Sequence, residues 1–388
     1  MVIGIDASRA FGSGKTGTEN YSYYLIKEIL RLPESSEHIF VLFIRPNTVV
    51  PSEIVGYDNV IVKTIGLKYL WTQVGLAWTT WQNQEYQGRS HNLEVLWIPA
   101  HTIPVWRNPK VKTVVTIHGL EYQWLKEYKN WLQRWYLPLS TYYSAKSATQ
   151  LIAVSQFTKN QLKKEVHNIP KDIKVVHEGV ASYEYHPKDF MSLAVLDKFG
   201  LESKKYFLFV GTIQPRKNLV ALIQAFSEFV QMSPGLGYKL VIAGSVGWLA
   251  DEILRAPGES GIPELVVFTG RVEDEALRVL YHQAKIYIQP SLTEGFGLPV
   301  LEAMSAMIPV VSSDGGALSE VVGEAGMVIP LNDKFVKNLA DSMNSIVKDP
   351  KVGQKLVQKG KKRVTQFGWE IAAKKTLNIL VATGLNNH

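Results

Sequence analysis

Short apolar runs rich in Val, Ile, Leu and Phe recur along the chain, each set apart from the next by a longer stretch with helical spacing. In the first half the runs Val2–Ile5, Ile39–Ile44, Val60–Thr64, Val95–Ile98, Thr113–Ile117 and Gln150–Val154 read as strands. In the second half Tyr206–Val210, Lys239–Ala243, Leu265–Thr269, Ile286–Gln289, Val310–Ser312 and Met327–Ile329 do the same. Between strands the period changes: Leu219, Leu222, Ile223, Phe226, Phe229 and Val230 follow the three-and-four spacing of an amphipathic helix. This alternation, run twice, predicts an α/β fold of two Rossmann-like, doubly wound parallel-sheet domains facing across a cleft. No longer repeat and no low-complexity tract competes with it. The division is expected within 181–205, where His186-Pro187 and the pair Lys204-Lys205 precede a new strand. The predicted domains are therefore 1–185 and 186–368, followed by a terminal helix, 369–388.

Composition agrees with a large core. With 46% hydrophobic and 20% charged residues among 388, disorder, collagen and pure coiled coil are excluded. No apolar run reaches the roughly 18 residues of a membrane span. The start, MVIGIDASRA, places Asp6 where a leader would be apolar, so no signal peptide is expected. The absence of Cys removes disulfides, thiolate metal sites and cysteine nucleophiles. A soluble, cytoplasmic protein is the expectation. The charge sum, 42 − 35 = +7, favours anionic partners: nucleic acid, phosphorylated small molecules or an acidic membrane face. No nucleic-acid-binding module is visible, so no nucleic acid partner is expected. The basic stretch 348–375 reads as a solvated helix face.

Ligands of open parallel sheets bind beyond the carboxyl ends of the strands, so the loops there carry the candidate chemistry. In YFLFVGTIQPRKNLV, 206–220, a strand ends at Gly211 and Arg216 and Lys217 stand just ahead of a helix for which Asn218 is a favoured N-cap type. Two cations before a helix N-terminus suit a phosphate, although solvated loop cations are the alternative. In QPSLTEGFGLPVLEA, 289–303, a loop presents Glu294, Gly295, Phe296 and Gly297, and Glu302 lies about a turn into the next helix. Glycines permit close backbone approach, and ionised carboxylates accept hydrogen bonds from vicinal hydroxyls. A carboxylate serving the helix dipole is the alternative for Glu302. A cation pair with two hydroxyl-accepting carboxylates in one domain matches a nucleotide sugar.

These motifs carry a family resemblance. GTIQPRKN at 211–218, LVIAG at 240–244, the run from TGRV at 269–272 through EGFGLPVLEAM at 294–304, and PVVSSDGGALSEVVGEAG at 309–326 resemble the retaining GT-B glycosyltransferases of family 4. The resemblance covers nearly the whole chain. It implies a GT-B fold and transfer of a hexosyl unit, mannosyl ahead of glucosyl or galactosyl, from a GDP- or UDP-linked sugar to a saccharide or lipid-linked acceptor. Arg216 and Lys217 resemble the pair that stabilises the leaving diphosphate. Glu294, with the backbone of Gly295, Phe296 and Gly297, resembles the sugar clamp, and Glu302 the ribose acceptor. Gly211 belongs to the same donor loop, and Arg271 and Val272 occupy the segment along the base. The last helix, from about Trp369, is implied to cross back to the N-terminal domain. No nucleophilic side chain presents itself; in the family the departing phosphate is thought to help deprotonate the acceptor hydroxyl.

The N-terminal half is left with the acceptor. In GSGKTGTEN, 12–20, GKT suggests a phosphate loop, but the first Gly of that motif would fall on Arg9. The resemblance instead places Gly17 and its neighbours near the donor phosphates and His118 against the donor sugar. A structural role is the alternative for His118, and His101 is a weaker candidate. The aromatic stretch Tyr122, Trp124, Tyr128, Trp131, Trp135, Tyr136 reads as packing, with sugar stacking or a lipid headgroup layer as alternatives. Lys159, Lys163 and Lys164 read as a solvated face, with a lipid phosphate as the alternative. Charge and aromatics together allow a peripheral contact with an anionic membrane. No Asp-x-Asp occurs, so no catalytic metal and no cofactor beyond the substrate are expected. Three departures from the family pattern stand out: Gly119 after His118 where Asp is frequent, Glu178 before Gly179-Val180 where Asn is usual, and Met307 in place of Gly before Pro309. The first two bear on substrate preference and the third on local packing. A nucleotide-sugar epimerase or hydrolase, or a silent nucleotide-sugar-binding partner of another transferase, are the rival readings.

Overall fold

The computed structural model of the chain describes residues 1–12, 17–100, 102–120, 131–167, 169, 172–180 and 189–385, without the side chains of 131–137 and 189–192. It divides into two compact units, one formed by Met1–Gly179 with Phe367–His388 and the other by Val180–Gln366. Several expectations fall outside the described residues: 13–16 of the glycine loop, His101, Tyr122, Trp124, Tyr128, the side chains of Trp131, Trp135 and Tyr136, and 181–188 of the boundary stretch.

The first unit holds a parallel sheet of β1 (Val2–Asp6), β2 (Ile39–Ile44), β3 (Val60–Thr64), β6 (Val95–Ile98), β7 (Lys112–Ile117), β8 (Gln150–Ala153) and β9 (Ile173–Val175), in the order 3-2-1-6-7-8-9. Between β3 and β6 a small antiparallel hairpin is inserted, β4 (Gln84–Tyr86) with β5 (Arg89–His91). The central strands are buried on both faces, which is why they read as continuous Val/Ile/Phe runs rather than alternating ones. The helix Trp369–Leu385 packs in this unit. Trp369 stacks on Tyr24 of the helix Gly17–Arg31 at 5.4 Å, and a Cβ at Gly179 would strike the backbone of Trp369 at 2.4 Å.

The second unit holds β10 (Tyr206–Val210), β11 (Lys239–Ala243), β12 (Val266–Gly270), β13 (Ile286–Gln289), β14 (Val310–Ser313) and β15 (Met327–Ile329), in the parallel order 12-11-10-13-14-15. The helix Leu219–Met232 buries Leu219, Leu222, Ile223, Phe226 and Phe229 against this sheet. All twelve strands expected from the apolar runs are present to within about one residue; β4, β5 and β9 were not foreseen.

Three local expectations need correction. Asn218 precedes its helix but does not cap it with its side chain: it sits at φ 54°, in the left-handed region that Asn tolerates, and its Nδ2 donates to the Pro290 carbonyl at 3.2 Å. Met307 is a matter of backbone rather than packing. It stands at φ 60° past the helix Leu298–Ser305, with its N–H bonded to the Met304 carbonyl (3.1 Å) and that of Ile308 to the Ala303 carbonyl (3.3 Å). That is the Schellman ending, whose left-handed position normally takes Gly. The basic side chains of 348–375 are exposed except those of Lys359 and Arg363. Arg363 donates to the carbonyls of Val321 and Glu320 at the end of the helix Leu318–Val322, so it caps rather than solvates.

Candidate active site at the carboxyl ends of the second sheet

The strand order of the second sheet reverses between β10 and β13, so the loops leaving these two strands part in opposite directions and leave a crevice. The loops are tied across it. The Leu292 N–H donates to the Arg216 carbonyl (2.9 Å), and Arg216 Nη1 donates to the Thr293 carbonyl (3.2 Å). Glycines shape the strand ends around it. Gly211 stands at φ 152°, and a Cβ at Gly244 would lie 2.1 Å from the Gly211 carbonyl oxygen. Gly297, at φ 111°, opens the helix that carries Glu302.

Arg216, Lys217 and Glu294, separated by 77 to 78 residues in sequence, meet here. Glu294 is buried. Its Oε1 accepts from Lys217 Nζ, from Gln289 Nε2 at 2.9 Å and from Ser291 Oγ at 2.6 Å, and its Oε2 accepts from Arg216 Nη1 at 3.0 Å. Burial alone would raise the Glu294 pKa, but the charges of Lys217 and Arg216 and the bonds from Lys217 and Ser291 outweigh it and bring it down to about 2. The carboxylate is therefore ionised at neutral pH and pairs with both cations.

Behind this cluster the polar groups are oriented as well. Tyr287 donates to Gln289 Oε1, which turns the Gln289 amide so that its NH2 reaches Ser291 and Glu294. Glu302 accepts from Tyr281 Oη at 2.8 Å. Burial pushes the Tyr287 phenol up, and Glu302 and Glu294 push it further, so both carboxylates act on one buried phenol. The loop after β14 closes the back. Ser313 Oγ donates to the Ser291 carbonyl, and the Ala317 N–H to that of Glu294 at 2.8 Å. A Cβ at Gly315 would lie 2.2 Å from the Ser291 carbonyl oxygen, and one at Gly316 2.3 Å from that of Glu294. Only glycines fit between these loops. Arg271 and Val272 follow β12, which β11 separates from β10, and Arg271 is exposed.

In the first unit Gly17 opens its helix after β1, and His118 follows β7. His118 Nε2 lies 2.8 Å from the Pro99 carbonyl and Nδ1 lies 2.9 Å from Glu178 Oε1. A carbonyl can only accept, so Nε2 carries the hydrogen in that contact. Tyr21 meets the imidazole edge-on at 4.5 Å. The two departures at 119 and 178 thus have a structural counterpart: the chain has no carboxylate at 119, and the one at 178 holds His118. Lys159 is paired with Asp172 at 3.3 Å.

Sequence reading did not single out Gln289, Ser291, Tyr281, Tyr287, Gly315 or Gly316. Only the Gly-Gly step carried a signal, inside a run quoted for its resemblance; the others look like ordinary strand and helix residues.

Two family descriptions match the chain: Glycosyl transferases group 1 over residues 196–363, and Glycosyltransferase Family 4 over 17–182. An O-antigen chain mannosyltransferase B from Escherichia coli is 34% identical over 269 residues, 69% of each chain. A D-inositol 3-phosphate glycosyltransferase from Kribbella flavida is 30% identical over 54% of this chain and 50% of its own length. Among solved structures, sucrose-phosphate synthase from Thermosynechococcus elongatus superposes with a TM-score of 0.75 at 18% identity, covering 98% of both chains. Anabaena Alr3699/HepE in complex with UDP and glucose gives 0.66 at 16% identity, covering 98% of this chain and 99% of that one. At such identities the two structures speak for the shared GT-B fold alone.

Proposed function

This chain belongs to the group 1 glycosyltransferases of family 4, and from that premise we propose that it transfers a hexosyl unit, mannosyl first among the options, from a nucleoside diphosphate sugar to a saccharide or lipid-linked acceptor in glycan biosynthesis. The observation that supports the reading is the meeting of Arg216, Lys217 and Glu294 at the switch point of the second sheet. In this reading Arg216 and Lys217 offset the negative charge growing on the leaving diphosphate, the electrostatic help that contributes most to many enzymes. Glu294 has a second use: fixed and ionised, it holds both cations in place and offers a carboxylate to sugar hydroxyls. The backbone of Gly295, Phe296 and Gly297 lines the sugar, and Glu302 accepts from the ribose. Arg271 and Val272 flank the base. The N-terminal unit takes the acceptor, His118 keeps its assignment to the sugar, and Gly17 keeps its assignment to the phosphates.

The step conserves anomeric configuration. The C1–oxygen bond to the diphosphate breaks through an oxocarbenium-like state, and the acceptor oxygen bonds to C1 on the same face. Its proton passes to a phosphate oxygen, so no protein nucleophile is consumed. The positive charge is supplied by side chains, and turnover is expected to survive EDTA.

The test is thermal shift with GDP-, UDP- and ADP-sugars on the wild type, Arg216→Ala and Glu302→Ala. One nucleotide class should raise the wild-type melting temperature by mass action, and both variants should lose the rise. No rise at millimolar ligand, or an equal rise in all three proteins, would sink the donor-site assignment. Anomeric proton couplings of the product, read by NMR, then decide retention.

A further inference from the structure

Three tryptophans of the first unit stand with their rings together in the open. Trp106 stacks on Trp81 at 5.4 Å and on Trp78 at 6.4 Å, with ring planes within 27°. Their exposures are 58%, 45% and 56%, where side chains of this size are ordinarily mostly buried. Val74 stands in the π-helical turn Trp71–Leu76, Trp78 in its continuation Ala77–Thr79, and Trp81 just past it. All three are exposed.

The patch is held firmly from beneath. Gln73 bridges to the other segment, donating to the Ile103 carbonyl (3.2 Å) and accepting from the Val105 N–H (2.9 Å). Thr80 Oγ1 accepts from the Asn108 N–H at 2.9 Å. A third segment joins through Tyr143, which donates to the Val105 carbonyl, and through Arg107, which reaches the Ser147 carbonyl at 2.7 Å. That segment contributes exposed Leu139 and Tyr142, with the Lys146 ammonium 4.9 Å from the Tyr142 ring centroid. These ties join the three segments, and the large exposed side chains on them are aromatic and apolar.

Charge decides what this surface fits. The three segments, 66–82, 102–112 and 138–149, contain no Asp or Glu at all, while Lys68, Lys110 and Lys146 are exposed on them. A protein partner's docking face would more often mix both signs, and a second copy would bring the same cations into opposition. Tryptophan beside lysine, on segments that carry no acid, is the composition of a surface that rests in the headgroup layer of an anionic bilayer. Among the described residues no helix is long and apolar enough to cross a membrane, so the contact is peripheral.

We propose that the face built from Trp78, Trp81 and Trp106, with Lys68, Lys110 and Lys146 around it, docks the first unit onto an anionic lipid bilayer. The assignment stands apart from the transferase reading, because its test reads no catalysis.

The experiment is flotation of the full chain with vesicles of phosphatidylcholine and phosphatidylglycerol at 3:1, a composition set by the probe, and with phosphatidylcholine alone, each at low and high salt. The chain should float with the anionic vesicles at low salt and far less with neutral ones. Trp78→Ser/Trp81→Ser/Trp106→Ser should weaken this partition by about tenfold or more. Should that variant fail to keep the wild-type circular dichroism and melting temperature, Lys68→Gln/Lys146→Gln carries the test, with a loss of about fivefold per neutralised cation. No flotation, equal flotation of wild type and variants, or equal binding to neutral vesicles would overturn the proposal. So would light scattering that showed the wild type to be a dimer, the tryptophan variant a monomer, and neither bound to vesicles.

Discussion

Lys217, Gln289 and Ser291 all donate to one oxygen of Glu294 while Arg216 takes the other. Burying a carboxylate is costly, and here the cations have been desolvated with it, so removing the anion would leave two largely buried positive charges without their shared counter-charge. Glu294→Gln is expected to destabilise the fold at neutral pH by about 3–5 kcal/mol, the usual cost of breaking a buried pair. The pH dependence has a definite sign. The folded-state pKa lies below the ordinary 4.5, at about 2, so the stabilisation is complete above about pH 5 and is lost as pH falls through 4.5 toward 2. A depression of that size corresponds to about 3 kcal/mol, at roughly 1.4 kcal/mol per tenfold in proton affinity. Urea titrations of wild type and Glu294→Gln at pH 7, 5, 4 and 3 should show the gap between them closing below pH 5. A constant gap would contradict the linkage. The residues in this cluster were legible as separate parts: two cations fit for phosphate, a carboxylate fit for hydroxyls. That they share one carboxylate was not, because it depends on β10 lying beside β13, and no local pattern records that adjacency. The pairing of His118 with Glu178, 60 residues apart, was hidden for the same reason.

Elements are placed by period, and their endings are placed by backbone geometry. The twelve apolar strands announced themselves because parallel strands buried on both faces must be continuously hydrophobic. The hairpin of Gln84–Tyr86 with Arg89–His91 is polar and only three residues a side, and Ile173–Val175 is equally short, so neither leaves a usable pattern. The π-helical turn at Trp71 has no sequence signature in apolar spacing either. Met307 shows the limit most clearly: its departure from Gly was visible, but the φ of 60° that makes it matter was not. A non-glycine residue in that region costs about 1 kcal/mol, and the side chain is exposed, so removing it sacrifices little contact. Met307→Gly should therefore raise the melting temperature of the second unit by about 2 °C in calorimetry. A fall of that size would show that the side chain's contacts outweigh the backbone strain.

At the scale of the whole chain the last helix is the informative piece, since Phe367–His388 returns to the first unit after the second is complete. Sequence reading saw a terminal helix from about Trp369 and, from family resemblance alone, its destination; nothing in the helix's own residues names the partner surface. The structure supplies the contact: Trp369 lies against Tyr24 and Tyr21, and a Cβ at Gly179 has no room beside it. Leu377 and Leu380 are buried, and Gly384 sits so close to Met1 that a Cβ would lie 2.5 Å from the Met1 side chain. Ending the chain after Gln366 would uncover this apolar face, at about 1.5–3 kcal/mol for each large side chain returned to water. The core of the second unit, from Phe207 to Ile346, contains no residue of the deleted segment. Truncation is therefore expected to lower or abolish the melting transition of the first unit while leaving a transition that a stabilising nucleotide sugar still raises. Calorimetry of the truncated chain with and without that ligand reads both. If the ligand-sensitive transition disappears along with the other, the units do not unfold independently, and the donor site needs the first unit in order to fold.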